Sequence, residues 1–131
     1  MKHLPTFFLI VDTGFIAYWV ITALHLIPET WLYNDYTNPL LVNWNWSFMP
    51  IDILVSITGY TALYYRSKKR HQWVPLAIIS LTLTSASGLM AIAFWVIGRD
   101  FELQWWLPNL FLLVYPWFFI PGLIKSNKPV A

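Results

Sequence analysis

Three ionisable side chains, Asp12, His25 and Asp52, stand inside or at the edge of long runs of apolar residues. Ionisable groups are costly in such surroundings, so each is a candidate for chemistry or binding. A histidine and a carboxylate can pass a proton between them, so His25 and Asp52 form a candidate donor and acceptor pair. At 100° per residue, Tyr18, Thr22, His25 and Glu29 fall at about 0°, 40°, −20° and 20° around one helix. That is a single polar stripe. Asn45, Asp52, Ser56 and Gly59 share a face of the next helix if it runs on through Pro50. Asn109 follows the pair Trp105 and Trp106 near the start of the last apolar block. These groups, with Trp44, suit a cavity with aromatic walls and a few polar contacts. An apolar ligand body would lie on the walls and the polar groups would fix its orientation. An aromatic wall also attracts a cation. Capping of helix ends and mutual pairing of His25 and Asp52 are the plainer alternatives.

Asp12 lies about 120° around the first helix from Tyr18, toward its other end, and so belongs to a different cluster. Tyr60, Tyr64, Tyr65 or a backbone group freed near Pro116 are its expected partners. Its two readings are a hydrogen bond between helices and a proton-coupling acid.

Four apolar blocks must position these residues: about 4–27, a second starting at 40 or 49 and ending at 65, 74–98 and 107–124. About 20 apolar residues span a bilayer, so the expected fold class is an all-α integral membrane protein, a four-transmembrane-helix bundle. Residues 1–131 form one domain, since four spans leave no length for a soluble one. The composition agrees: 58% hydrophobic and 11% charged. The basic start resembles a signal peptide, but the first block is too long, carries Asp12 and lacks a small-residue cleavage site, so it reads as a retained helix.

Eight Lys and Arg residues set the expected orientation. Lys2, Arg66, Lys68, Lys69, Arg70, Lys125 and Lys128 share one side, and only Arg99 lies on the other. The positive-inside rule puts both termini in the cytoplasm. The net charge of +2 is therefore topogenic and no signal for nucleic acid. Cysteine is absent, which excludes disulfides and thiolate metal sites. Metal-ligand spacings, phosphate loops and nucleophile elbows are also missing, so no metal or cofactor is expected. The expected partners are membrane lipids, a small amphiphilic ligand and a second copy of the chain in a homodimer.

Local signals refine the elements. Pro5 suits a first helical turn. The connection from Pro28 to Phe48 mixes turn formers with Trp31, Tyr33, Tyr36, Trp44 and Trp46. It reads as an interfacial aromatic belt or as a lid. A second helix from Pro39, kinked at Pro50, puts Asp52 mid-membrane, whereas a start at Met49 puts it near the surface. The apolar run Leu40–Phe48 favours the longer helix. Ser80, Thr84, Ser87 and Ala91, with Gly88, form a stripe of small residues that lets helices approach closely. Pro116 should kink the fourth helix and free a carbonyl.

Tyr18-Trp19, His25 through Glu29, Asn43 through Asp52, Ala91 through Trp95 and Trp106 through Asn109 together resemble the YvaD-like family. That resemblance covers nearly the whole chain. It implies a small four-helix protein of the bacterial cytoplasmic membrane and brings no activity. The layout also resembles, more weakly, the EXPERA group of sterol isomerases and sigma-2-type receptors: four helices, cytoplasmic termini, a long aromatic first connection and acids in a membrane cavity. That likeness implies a ligand pocket and, for an enzyme, an isomerase-type proton shuttle by His25 and Asp52. In the isomerases a His and a Glu act in the cavity, whereas here His25 and Glu29 fall on helix 1 instead of helix 2.

Two functional readings emerge. The first is an outer-half cavity for an amphiphilic or lipid-like molecule, lined by Tyr18, Thr22, His25, Glu29, Trp44, Asn45, Asp52 and Asn109. The second is a small proton-coupled exporter that uses Asp12. An accessory or immunity protein packing against a partner is a further alternative.

Overall fold

A computed structural model describes residues 1–127; the expected topogenic Lys128 lies outside them. The described residues are helical with no strand. Helix α1 runs Leu4–Ala23, α2 Pro39–Ser47, α3 Met49–Ser67, α4 Trp73–Ile97, α5 Leu103–Val114 and α6 Ile120–Ser126. Four stretches are long and apolar enough to cross a membrane: α1, α2 with α3, α4, and α5 with α6.

α1 begins with Pro5 in its first turn, where the missing N–H costs nothing. It ends at Ala23, short of the expected Ile27. The cause is local. His25 takes a left-handed φ of 53°. Leu26 N–H then donates to the Ile21 carbonyl at 3.1 Å and His25 N–H to that of Thr22 at 3.3 Å. These paired bonds close the helix in a Schellman motif. Pro28 follows, so the chain cannot wind back into helix. Lys69 closes α3 and Arg99 closes α4 in the same way, with φ of 56° and 55°.

Asn38 caps α2, its side-chain oxygen accepting from Leu40 N–H at 3.0 Å, and Pro39 follows at the first position. α2 and α3 are separated by Phe48 alone. Pro50 sits in the first turn of α3 and so ends the preceding ladder. Together they form one stretch of 29 residues, Pro39–Ser67, and Asp52 lies near its middle. The longer of the two expected starts is the one observed.

α4 is the central helix, packed mainly on α3 and α5, while α1 packs on α3. Its small-residue stripe makes these approaches possible. Ser80 donates to the Val55 carbonyl at 3.0 Å. A Cβ on Gly88 would meet backbone atoms of Asn109 and Leu113 at 2.6 and 2.7 Å, so α5 rests directly on that glycine. The fourth stretch starts at Leu103, before the expected 107, which puts Trp105 and Trp106 in its first turns. At Pro116 it tightens into a 3₁₀ segment, Tyr115–Phe118. The Leu113 carbonyl accepts from Ser85 at 2.9 Å, and Trp117 Nε1 donates to the same serine oxygen at 2.9 Å. Proline-freed backbone needs such partners where water is absent.

Leu4, Phe8, Ala77, Leu81 and Leu123 fill the core at the end that carries the basic residues. There Arg66 donates to the Met1 carbonyl at 3.1 Å and lies over the Trp73 ring. Tyr33, Trp95 and Trp105 form a second cluster at the opposite end. Outward faces are apolar as well: Ile10, Leu54, Ile57, Met90 and Phe118 are exposed.

Candidate functional site

Asp52 is buried on α3 with both carboxylate oxygens engaged. Trp19 Nε1 on α1 donates to Oδ2 at 2.9 Å, and Ser87 Oγ on α4 donates to Oδ1 at 3.1 Å. Two donors from two helices thus fix one acid in place. Each carboxylate oxygen retains a lone pair for a further donor. Tyr18, next to Trp19 on α1, donates to Asn45 Oδ1 at 3.1 Å, which ties α1 to α2.

These groups line a cavity of about 360 Å³. Its polar contacts are Tyr18, Asn45, Asp52, Ser87, Gln104 and Asn109. Its walls are aromatic. Trp44 stacks on Phe94 with centroids 4.0 Å apart and meets Trp95 edge-on at 5.3 Å. Trp95 leans on Trp105 at 5.6 Å. Trp105 Nε1 is buried without an acceptor, an orphan donor at the cavity wall. Asn109 donates to the Trp105 carbonyl at 2.7 Å, its own helix, which holds its side chain along the wall.

The first connection closes one side of the cavity. Trp31, Leu32 and Tyr33, in and after the short 3₁₀ turn Glu29–Trp31, line it. Gln104 donates to the Trp31 carbonyl at 2.6 Å, and Asn34 donates to Asp100 at 2.9 Å. Burial, reinforced by the charge of Glu29, pushes the Tyr33 phenol above its ordinary pKa, so Tyr33 stays neutral.

Of the residues expected to line the cavity, Tyr18, Trp44, Asn45, Asp52 and Asn109 come together. Thr22, His25 and Glu29 line instead a smaller adjoining recess of about 50 Å³ that shares Asn45 and Tyr33 with the cavity. Thr22 turns back to the Tyr18 carbonyl at 2.7 Å. His25 and Glu29 pair with each other at 3.2 Å, with side chains 72% and 51% exposed. The early helix stop at Ala23 rotates His25 off the expected stripe, so it does not face Asp52. A direct proton exchange between His25 and Asp52 therefore has no geometric support. Trp19, Ser87 and Trp95 join the site although the sequence did not single them out as lining it. The spacing of Ser87 from Ser80 and Thr84 was the available signal, but it reads equally as packing.

Asp12 departs most from expectation. Tyr60 bonds to Thr13 at 2.7 Å, and Tyr64 is exposed. Neither carboxylate oxygen of Asp12 has a hydrogen-bond partner. The carboxyl group packs into the space left by the missing side chain of Gly59, where a Cβ would collide with it. Among the described residues, no three His, Cys, Asp or Glu side chains group as a metal site would need.

The molecule thus belongs to a class of small helical proteins with four membrane-length apolar stretches around an aromatic cavity. The family model described as "Family of unknown function (DUF5360)" matches residues 4–130, and the chain belongs to that family. It is similar to the uncharacterised protein YvaD of Bacillus subtilis (strain 168), 47% identical over 128 residues, 98% of this chain and 96% of the relative. Neither match bears on the EXPERA resemblance. No solved structure gives a significant match.

Proposed function

We propose that this protein is a multi-pass protein of the bacterial cytoplasmic membrane, with both termini inside, that binds a small amphiphilic molecule in the cavity on Asp52. The single observation that carries the reading is the anchored carboxyl group of Asp52 on an aromatic-walled cavity of about 360 Å³. That volume falls in the range of small-molecule sites. The exposed apolar outer faces and the basic residues gathered at one end support the membrane setting.

The chemistry of the lining selects the ligand. Asp52 presents acceptors and the tryptophan faces attract a cation, so a headgroup with N–H or cationic character fits best. The orphan Trp105 N–H favours an acceptor atom in the same headgroup. The lining offers no histidine, which favours binding over proton-shuttle catalysis.

The test is quenching of tryptophan fluorescence by a bromine-labelled long-chain amine, with the matching alcohol as control. Wild type should show saturable quenching that is stronger for the amine. Asp52→Asn should weaken amine binding about tenfold, equivalent to about 1.4 kcal/mol. Non-saturating quenching that is equal in both forms would refute the reading.

A further inference from the structure

A groove of about 240 Å³ runs between α1 and α3 on the outside of the molecule. Ile16 and Val20 on α1 and Ile53 on α3 form its rims and are exposed. Trp19, Asp52 and Ser56 form its buried floor. Phe15, Trp19 and Asp52 also line the aromatic cavity, so groove and cavity back onto the same three side chains. In the proposed membrane setting the rims face lipid tails.

The hydrogen bonds that join α1 to α3 make this the thinnest part of the wall. Toward the basic end, Ser56 donates to the Asp12 carbonyl at 3.0 Å and Thr13 bonds to Tyr60 at 2.7 Å. Toward the other end, the bond from Trp19 Nε1 to Asp52 Oδ2 at 2.9 Å is the last between the two helices among the described residues. α1 stops four residues later, at Ala23. What separates groove from cavity is therefore side chain and not packed backbone. A side chain turns far more readily than a helix shifts.

The groove offers what the cavity does not. Its rims are aliphatic, and Asp52 is its single ionisable group. An alkyl chain that moves from lipid into such a groove loses no hydrophobic stabilisation and gains packing contacts with Ile16, Val20 and Ile53. A headgroup N–H that replaces the Trp19 N–H at Asp52 preserves the hydrogen bond of that oxygen, so the exchange leaves no buried acceptor bare. The two recesses run from polar to aliphatic across Asp52, the order of a headgroup and one chain.

We propose that the ligand of the cavity is a single-chain amphiphile that enters sideways from the lipid between α1 and α3. Trp19 turns aside to admit it, the headgroup binds Asp52 inside the cavity, and the chain stays in the groove. This rests on the cavity reading and adds to it a route of entry and one chain.

Tryptophan quenching by bromine-labelled dodecylamine and hexylamine, at equal concentrations in lipid nanodiscs, tests the route. Val20→Phe and Ile53→Phe crowd the groove from its exposed rims, and neither residue lines the cavity. Ile10→Phe, on the exposed face of α1 outside the groove, is the control. Both groove variants should weaken dodecylamine binding about tenfold and leave hexylamine, whose short chain the cavity holds, unchanged. Ile10→Phe should bind both amines as wild type does. Dodecylamine binding that is unchanged in the groove variants, weakened alike with hexylamine, or weakened as much by Ile10→Phe overturns the lateral route. Hexylamine binding that still depends on Asp52 then leaves the cavity reading standing. No saturable binding of either amine, or binding indifferent to Asp52→Asn, refutes the cavity reading and the route with it.

Discussion

At the residue scale, two glycines define how much room the bundle has. Gly59 gives its missing side chain's space to the Asp12 carboxyl, the end of a side chain that can turn. Gly88 gives its space to the backbone of α5, which cannot move without the helix. Gly88→Ala should therefore cost more stability than Gly59→Ala. Overpacking of this kind costs about 1–3 kcal/mol, and Gly88→Ala should lie at the upper end. Thermal unfolding in mild detergent measures both. Asp12→Ala added to Gly59→Ala should recover most of the loss, whereas equal losses with no recovery would show that Asp12 does not occupy that space. The need for polar partners at Asp52 was legible from its residue type. That those partners are Trp19 and Ser87 was not, because a tryptophan on an apolar helix reads first as packing. Nor did the sequence disclose that Asp12 stands alone. Three tyrosines lay within reach by helical spacing, and only the packing of α1 on α3 shows that Gly59 faces it instead.

At the element scale, helix ends decide which polar residues meet. The stop of α1 at Ala23 takes His25 and Glu29 out of the cavity and leaves Tyr18 in it. Hydropathy does not mark this stop, since Leu24, Leu26 and Ile27 are as apolar as the helix before them. Pro28 limited the helix from beyond, but the left-handed turn at a histidine has no strong local signature. The proline positions were better guides. Pro39 and Pro50 mark the starts of α2 and α3, and Pro116 marks the 3₁₀ segment. Two predictions belong here. Lys69→Gly should stabilise the protein by about 1 kcal/mol, because glycine takes the left-handed conformation without steric cost. Ser85→Ala should destabilise it by about 1 kcal/mol, because it removes the part-buried hydrogen bonds that Ser85 makes to the Leu113 carbonyl and accepts from the Trp117 N–H. Melting temperatures of the two variants should move in opposite directions.

At the scale of the whole molecule, charge and apolar surface act together. The described basic residues Lys2, Arg66, Lys68, Lys69, Arg70 and Lys125 gather at the end where α1 starts, α3 and α4 meet and α6 stops. Arg99, Glu29, Asp35, Asp100 and Glu102 lie at the other end, beside the cavity. Under the orientation proposed, a cysteine replacing Lys68 should react with an impermeant maleimide only from the cytoplasmic side. One replacing Glu102 should react only from outside. The opposite pattern would invert the protein and turn the cavity inward. The count and order of the four membrane-length apolar stretches were legible because each needs about 20 apolar residues. The cavity was legible only as a convergence of polar and aromatic types, since its shape depends on where α2, α4 and α5 meet.

The most direct measurement is native mass spectrometry of the protein released with its own lipids, comparing wild type with Asp52→Asn and Asp12→Asn. The account predicts a retained small amphiphile in wild type and in Asp12→Asn, and its loss in Asp52→Asn. No retained molecule in any form, or equal retention in all three, would contradict a binding site built on Asp52.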